Sequence, residues 1–471
     1  MNYFSAVAVF FTLICSSRTH LVKEITTEGC SLPADLVAEI RSYQAKVDEI
    51  VNAVVNGSHS KEVWQELADF TDDFGNRIAG SENLENAIDY MVKRSQWHNV
   101  DVHTEPVSVP HWVRGEESAT MLLPRVKKLS LLGLGGSIGT RLPDGITAEV
   151  IVVEDFDELK RRASEAKGKI VVFAEKWISY GTTVSYRSKA ASSASKVGAV
   201  ASLIRSISPF SLNNPHTGWQ SYESGVTKIP TAAITIEDAN LLLRIHRRGI
   251  KIIINLKMEA KTFGQKTSRN TIVQLNGTSM PDEYVLVSGH LDSWDVGNGA
   301  MDDGGGAFIS WYAPILLKKL NLIPRRSVRA VLWTGEEEGL IGAFAYKKAH
   351  QDNQIVLAME SDEGTFNPRG ITMKGTNKAT CIVQEIVKLL GSINATTLEL
   401  SDDVGSDIMI WANTKVPLAA LKNDNERYFW YHHSDADTME VEDPDVLDRC
   451  LAVWTAVAYV VADLSVRLPV G

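Results

Sequence analysis

The stretch GHLDSWDVGNGAMDDGGG, residues 289–306, holds one histidine, four aspartates and six glycines. Its acids are Asp292, Asp295, Asp302 and Asp303. Three further clusters lie downstream. Glu336, Glu337 and Glu338 follow VRAVLWTG, and Asp362 follows IVLAMES. His432 and His433 sit in YFWYHHSDADT. Imidazole nitrogen with carboxylate oxygen, and no thiolate spacing, is the donor set of a catalytic zinc site. The number of acids points to two ions sharing a bridging carboxylate, an arrangement that activates water and stabilises charge in a displacement. Calcium is the rival for an Asp- and Gly-rich loop, but it prefers oxygen ligands alone. Manganese and cobalt accept the same ligand types.

These residues must be brought together by the elements around them. From about residue 271 the chain alternates short apolar runs (EYVLVSG, SVRAVLW, QIVLAM, KVPLAAL) with helical stretches (AFISWYAPILLKKLN, GAFAYKKAHQ, ATCIVQEIVKLLGSI). Runs of that kind suit strands buried on both faces of a largely parallel sheet. In open α/β sheets, functional groups gather at the carboxyl ends of the strands. His290, Glu336–Glu337 and Asp362 each follow a predicted strand directly.

Upstream, SLPADLVAEIRSYQAKVDEIVNAVVN is helical, because Leu36, Ile40, Tyr43, Val47, Ile50 and Val54 recur at spacings of three and four. RIAGSENLENAIDYMVKRS reads as a turn at Gly80–Ser81 entering a helix. Residues 107–261 have another texture, with short β-rich runs, an Ala/Ser-rich helix within 188–204 and a polar loop at 206–225. They read as an inserted β-rich domain that splits a catalytic domain of residues 46–106 and 262–471.

Residues 1–17 read as a secretory signal, their apolar run being too short to span a bilayer. The sequons at Asn56, Asn276 and Asn394 agree with export and glycosylation. The apolar stretch 451–464 is also too short to span and reads as a core helix. Of four cysteines, Cys15 lies in the signal. Cys30, Cys381 and Cys450 leave one disulfide, an intermolecular bond or none all open. A net charge of -10 argues against nucleic acid and against an anionic membrane surface as partners.

The segments RIAGSENLENAIDYM, VLVSGHLDSWDVGNGAMDDGGGAFISW, VLWTGEEEGLIGAFAY, AMESDEGTF, GSDIMIWANTKVP and YFWYHHSDADTM resemble the co-catalytic zinc exopeptidases, over nearly the whole chain after the signal. The resemblance implies a three-layer α/β catalytic domain with a mostly parallel mixed sheet, and an insert like a protease-associated domain. It implies two zinc ions, with His290 and Asp362 on one, Glu337 and His433 on the other, and Asp302 bridging them. The Asp302–Asp303 peptide would be cis. Glu336 would be the general base, taking a proton from the attacking water and passing it to the leaving amine. Asp292 would orient His290, and Asp303 would support the turn. A propeptide within residues 18–45, a homodimer, and a secreted or lysosomal location complete what the resemblance implies.

Blander assignments hold for the neighbours. His432 reads as a structural neighbour or substrate contact, and Asp295 as a turn residue. Trp294, Trp333 and Trp430 read as pocket wall or core. Asp407 reads as support or turn, Glu338 as support or solvated, and His216 as a surface-loop histidine. Glu338 departs from the family, which more often carries an amide there, and Asp435 adds charge beside His433. Both acids are expected to weigh on the pH optimum. The expected activity is hydrolysis of short peptides, most simply dipeptides with free termini. An aminopeptidase on longer peptides would use the same metal chemistry. A catalytically inactive receptor-like ectodomain would have lost several of the site residues, and all six are present here.

Overall fold

The structure, a computed structural model, describes residues 30–470 and a two-residue strand, Lys23–Glu24. The signal expected at 1–17, with Cys15, lies outside the described residues, as does much of the first part of the 18–45 segment.

Nine strands form the larger sheet. At its centre Arg326–Trp333, Met280–His290, Ile355–Glu360 and Leu418–Asn423 run parallel in that spatial order. Antiparallel strands complete it on one side through Lys261–Leu275 and Asp101–Val113. On the other side Pro368–Lys374 pairs antiparallel with Leu418–Asn423 and parallel with Thr397–Leu400.

The central strands lack polar alternation because both their faces are covered. Val285 and Val287 pack into the cluster that includes helices Gln44–Val55, Gly305–Lys319 and Pro444–Asp463. Tyr284 and Leu286 point the other way, into a cluster with Ile341–Ala349 and the short helix Asp407–Trp411. Three layers result, as expected. The apolar stretch 451–464 lies within the buried helix Pro444–Asp463, and no helix among the described residues is long and apolar enough to cross a membrane.

The amino-terminal helical reading divides in two, Ala34–Ser42 and Gln44–Val55, with Tyr43 between them. Ser81 caps Glu82–Trp97 by accepting the Leu84 N–H, where the Gly80–Ser81 turn was read. Cys30 is bonded to Cys381, and Cys450 is buried and free. Asn56, Asn276 and Asn394 are all exposed.

A second sheet of eight strands uses residues 117–258. Residues 107–113 belong instead to the long strand Asp101–Val113, which with Lys261–Leu275 makes a two-stranded ribbon joining the two sheets. The second sheet has helices on both faces. Tyr180–Lys196 packs on one through Ala190 and Ala194, and Ile236–Arg247 on the other through Ala239, Leu242 and Ile245. The sequence reading found the first of these helices and missed the second.

Candidate metal centre

The strand Met280–His290 ends in the buried His290. The glycines on either side of it allow the chain to fold back on itself. A β-carbon on Gly289 would strike the Asp303 carboxylate, and one on Gly306 the carbonyl of Ser361. The chain then makes an irregular turn, Ala300–Gly304, in which the Asp302–Asp303 peptide is cis, before entering the helix Gly305–Lys319. His290 Nε2 lies 3.3 Å from Asp302 Oδ1 and 3.3 Å from Asp362 Oδ1. His433 Nε2 lies 3.4 Å from Asp302 Oδ2 and 2.9 Å from Glu337 Oε2. Two donor groups therefore meet at the two oxygens of one aspartate. His432 also reaches that aspartate, at 3.8 Å, and its ring stacks on His433 at 3.5 Å between centroids. His433 has φ +60°, left-handed backbone that a non-glycine residue adopts at a cost of about 1–3 kcal/mol.

The roles of the flanking acids are resolved by their hydrogen bonds. His290 Nδ1–H donates to the main-chain carbonyl of Asp292 at 2.8 Å, which leaves the Nε2 lone pair facing Asp302 and Asp362. The Asp292 carboxylate sits 3.9 Å from that ring. It accepts instead the N–H groups of Gly335, Glu336 and Glu337, at 2.8, 3.3 and 3.3 Å. Asp292 thus orients His290 through its backbone, and its side chain holds the glutamate turn. Asp303 accepts the His290 N–H. Asp295 is more than a turn residue, for it forms a paired salt bridge with Arg114, the residue just past the strand Asp101–Val113. Trp294 packs into the core of the second sheet and donates 2.6 Å to Glu337. Trp333 is core, and Trp430 packs at a tilt against Phe210, 4.8 Å between centroids.

Several further residues take part around these acids. Asp437 accepts the Met301 and Asp302 N–H groups at 2.8 and 3.2 Å, fixing the backbone of Asp302. The acid of the HHSDADT loop that bears on the site is therefore Asp437, and Asp435 is exposed. Arg77 is buried and donates to the carbonyls of Gly75, Leu291, Asn298 and Gly299, stitching the loop closed. Glu360 accepts three N–H groups from residues 406–408, and Ser406 in turn donates to Glu336. Asp407 is buried with neither carboxylate oxygen hydrogen bonded. Tyr428 is buried against Met301 and Phe366. Arg77 heads RIAGSENLENAIDYM, a segment that carries the resemblance, but no spacing ties it to the metal loop.

The second sheet grips the histidine loop. His216, placed on the surface by the sequence reading, is buried, and its Nδ1–H donates to the His432 carbonyl at 2.6 Å. Thr217 N–H donates to the His433 carbonyl at 2.9 Å, and Asn214 to the Ser434 hydroxyl. Ser208 donates to the Phe429 carbonyl at 2.6 Å.

Burial is the chief force on the site's charges. It pushes the carboxyls of Glu337, Asp362 and Asp303 well above their ordinary range, and neighbouring carboxylates push further. Glu336 rises to about 7, first through burial, with Asp292 and Asp302 adding and His290 and Ser406 opposing. Burial, and not the added Glu338, is thus the main cause. At Asp302 burial is outweighed by His290 and His433, which hold it below its usual value. A cluster of this kind cannot ionise fully without cations. His290 Nε2, Asp302 Oδ2 and Glu337 Oε1 are buried with no hydrogen-bond partner. Buried unpaired donors and acceptors of this type fit zinc, which takes nitrogen and carboxylate oxygen together.

The profile of peptidase family M28 matches residues 270–458. A solved peptidase M28 precursor from Shewanella amazonensis SB2B superposes with a TM-score of 0.86 at 32% identity, covering 92% of this chain and 99% of that one. The chain belongs to peptidase family M28 and is a zinc metallopeptidase. Carboxypeptidase Q of Xenopus laevis is 54% identical over 434 residues, and that of Homo sapiens 52% over 438, each alignment covering 92% of both chains. A zinc aminopeptidase from Bacillus subtilis shares the fold, with a TM-score of 0.65 at 18% identity, covering 86% of this chain and 96% of that one.

Proposed function

We propose that the protein is a di-zinc exopeptidase of the carboxypeptidase or dipeptidase type, hydrolysing short peptides with free termini. The observation that carries this reading is the sharing of Asp302 between two donor groups, His290 with Asp362 and His433 with Glu337, His432 standing beside the second. The carboxypeptidase Q relatives, matched along 92% of the chain, favour this substrate class. Two zinc ions held there would supply Lewis acidity, acidifying water and polarising the scissile carbonyl.

The chain's own groups do the rest. Glu336 stands at the mouth of the cluster, 4.0 Å from His290 Nε2, and it is the most accessible of the central acids, at 14% exposure. It accepts the proton of the attacking water and delivers it to the departing amine. The Ser406 hydroxyl fixes one of its oxygens, leaving the other for that transfer. Asp292 and Asp437 hold the glutamate turn and the bridging aspartate in place. Residues 117–258, the second sheet with its helices, form an inserted domain that walls one side of the site and limits substrate length. Export, glycosylation at Asn56, Asn276 and Asn394, removal of a propeptide and dimerisation belong to the same reading.

The test pairs metal analysis with turnover. The native protein should hold two zinc ions per chain and lose dipeptide hydrolysis on chelation. Glu336→Gln should keep both ions and lose about 10²–10⁴-fold in kcat, the usual contribution of a general base. An active Glu336→Gln protein, or full activity without metal, refutes the assignment.

A further inference from the structure

Two segments of the second sheet carry cations and no acid. Residues 121–128, MLLPRVKK, hold Arg125, Lys127 and Lys128. Residues 244–251, RIHRRGIK, hold Arg244, Arg247, Arg248 and Lys251. The fold sets the two side by side. The strand Glu117–Leu123 runs antiparallel to Ile253–Met258, with Leu123 opposite Ile253. The turn that leaves the first strand therefore lies against the turn that enters the second. Lys127, Arg247 and Lys251 each pair with one carboxylate, of Asp238, Glu154 and Glu149. Arg125, Lys128, Arg244 and Arg248 are exposed and pair with none among the described residues.

Helix geometry explains part of this. Arg244 and Arg247 lie in the last turn of Ile236–Arg247, where the helix dipole favours cations. It explains neither the cations of the neighbouring hairpin nor the apolar residues set among them. Val126 is 74% exposed and Leu123 42%, and Leu122 and Ile250 are exposed as well. A contiguous apolar tip of this kind, left in water, marks a contact surface.

The mixture identifies the partner. Apolar side chains ringed by lysine and arginine suit a bilayer surface with anionic headgroups, where the first enter the headgroup layer and the second meet its charge. A sulfated polysaccharide would use the cations and leave the apolar tip in water. A second copy docked symmetrically through the same patch would set cations against cations. The net charge of -10 belongs to the whole chain. A surface meets only the charges near it, because those beyond about 10 Å are largely screened. We propose that the tip formed by residues 122–126 and 248–251 is a docking surface for an anionic bilayer. It rests on no assumption about the peptide substrate. The insert's contacts to the histidine loop come from Ser208, Asn214, His216 and Thr217, outside this tip, so docking leaves the metal centre assembled.

The test is co-sedimentation of the full-length, zinc-loaded protein with vesicles of phosphatidylcholine, alone or with roughly 30% phosphatidylserine. The native protein should bind the mixed vesicles, spare the neutral ones, and let go as salt rises from about 0.1 to about 0.5 M. Arg125→Gln with Arg248→Gln should weaken binding roughly 25-fold, about fivefold for each charge removed. Leu123→Ser with Val126→Ser should weaken it about tenfold or more at unchanged charge. Both double variants should retain dipeptide turnover and zinc, which shows that they are folded. Equal binding to the two kinds of vesicle, or binding indifferent to either pair of substitutions, would overturn the proposal. Retention on heparin without binding to vesicles would overturn it in favour of a polysaccharide. A change of oligomeric state in the variants, read by analytical ultracentrifugation, would overturn it in favour of a second copy.

Discussion

Asp292→Asn separates two accounts of how the first histidine is held. In one, the carboxylate orients His290; in the other, the backbone carbonyl does so and the carboxylate serves the glutamate turn. The distances favour the second, 2.8 Å for the carbonyl against 3.9 Å for the carboxylate. An asparagine keeps that carbonyl and one acceptor oxygen, but it turns an amide N–H₂ toward one of the three N–H groups the carboxylate received. Leaving a buried N–H unpaired costs about 1–3 kcal/mol, and the opposed donors bring the loss to roughly 2–3 kcal/mol. Expressed as misplacement of Glu336, that is a fall in kcat of roughly 30- to 150-fold. Zinc affinity, set through His290 Nδ1–H, should stay within about threefold. The assay is a competitive chelator titration beside dipeptide turnover at saturating zinc. Zinc binding weakened tenfold or more, with kcat of the loaded enzyme intact, would refute the reasoning. That result is expected for a partner that orients a metal-binding imidazole.

Glu175, far from the metal loop in sequence, lies buried at the end of the strand Ile170–Phe173 with both oxygens unpartnered. Burial lifts its pKa from 4.5 to about 8, with Arg205 only partly opposing. A raised folded pKa means the native state binds the proton more tightly, so this group's stabilisation is complete below about 4.5 and is lost as pH climbs through about 8. Glu175→Gln should match the native protein near pH 4 and exceed it progressively above, by at most several kcal/mol at 1.36 kcal/mol per pH unit. Urea midpoints across that range would show it, and a pH-independent difference would count against it. Cys30→Ser should lower stability by about 2–5 kcal/mol, since the bond closes a loop of 351 residues. It should spare dipeptide turnover, because the helix Asn377–Val387 that carries Cys381 supplies no site residue; a large loss of kcat in folded protein would contradict this.

The ligand candidates were legible because the sheet geometry is local and repetitive. Each follows an apolar run or a glycine-rich turn, and strand ends converge whatever the loops between them. His290, Asp302, Glu336, Glu337, Asp362 and His433 accordingly stand together in space. What escaped the sequence depends on contacts across long separations. Asp295 meets Arg114 across 181 residues, and His216 meets His432 across 216. Read locally, the first is a turn aspartate and the second a loop histidine. Asp437 escaped because its work is done by accepting backbone N–H groups, which leave no mark on residue spacing. The strands Pro368–Lys374 and Thr397–Leu400 were missed because they lie toward the sheet's edge and lack the apolar density of the centre. The helix Ile236–Arg247 was hidden by a charged face that resembled loop.

The grip of the second sheet on residues 429–434 makes the metal centre a shared possession. With His433 as a ligand, one donor of the centre is held in register by Ser208, Asn214, His216 and Thr217, while the others rise from the larger sheet. Binding free energies that meet in one site are reciprocal. Whatever metal gains from the docked arrangement of the two sheets, the docking gains from metal. Chelation should therefore loosen the seam between the sheets as well as silence the chemistry. A substitution at that seam, far from any reacting atom, should register first as a weaker hold on zinc.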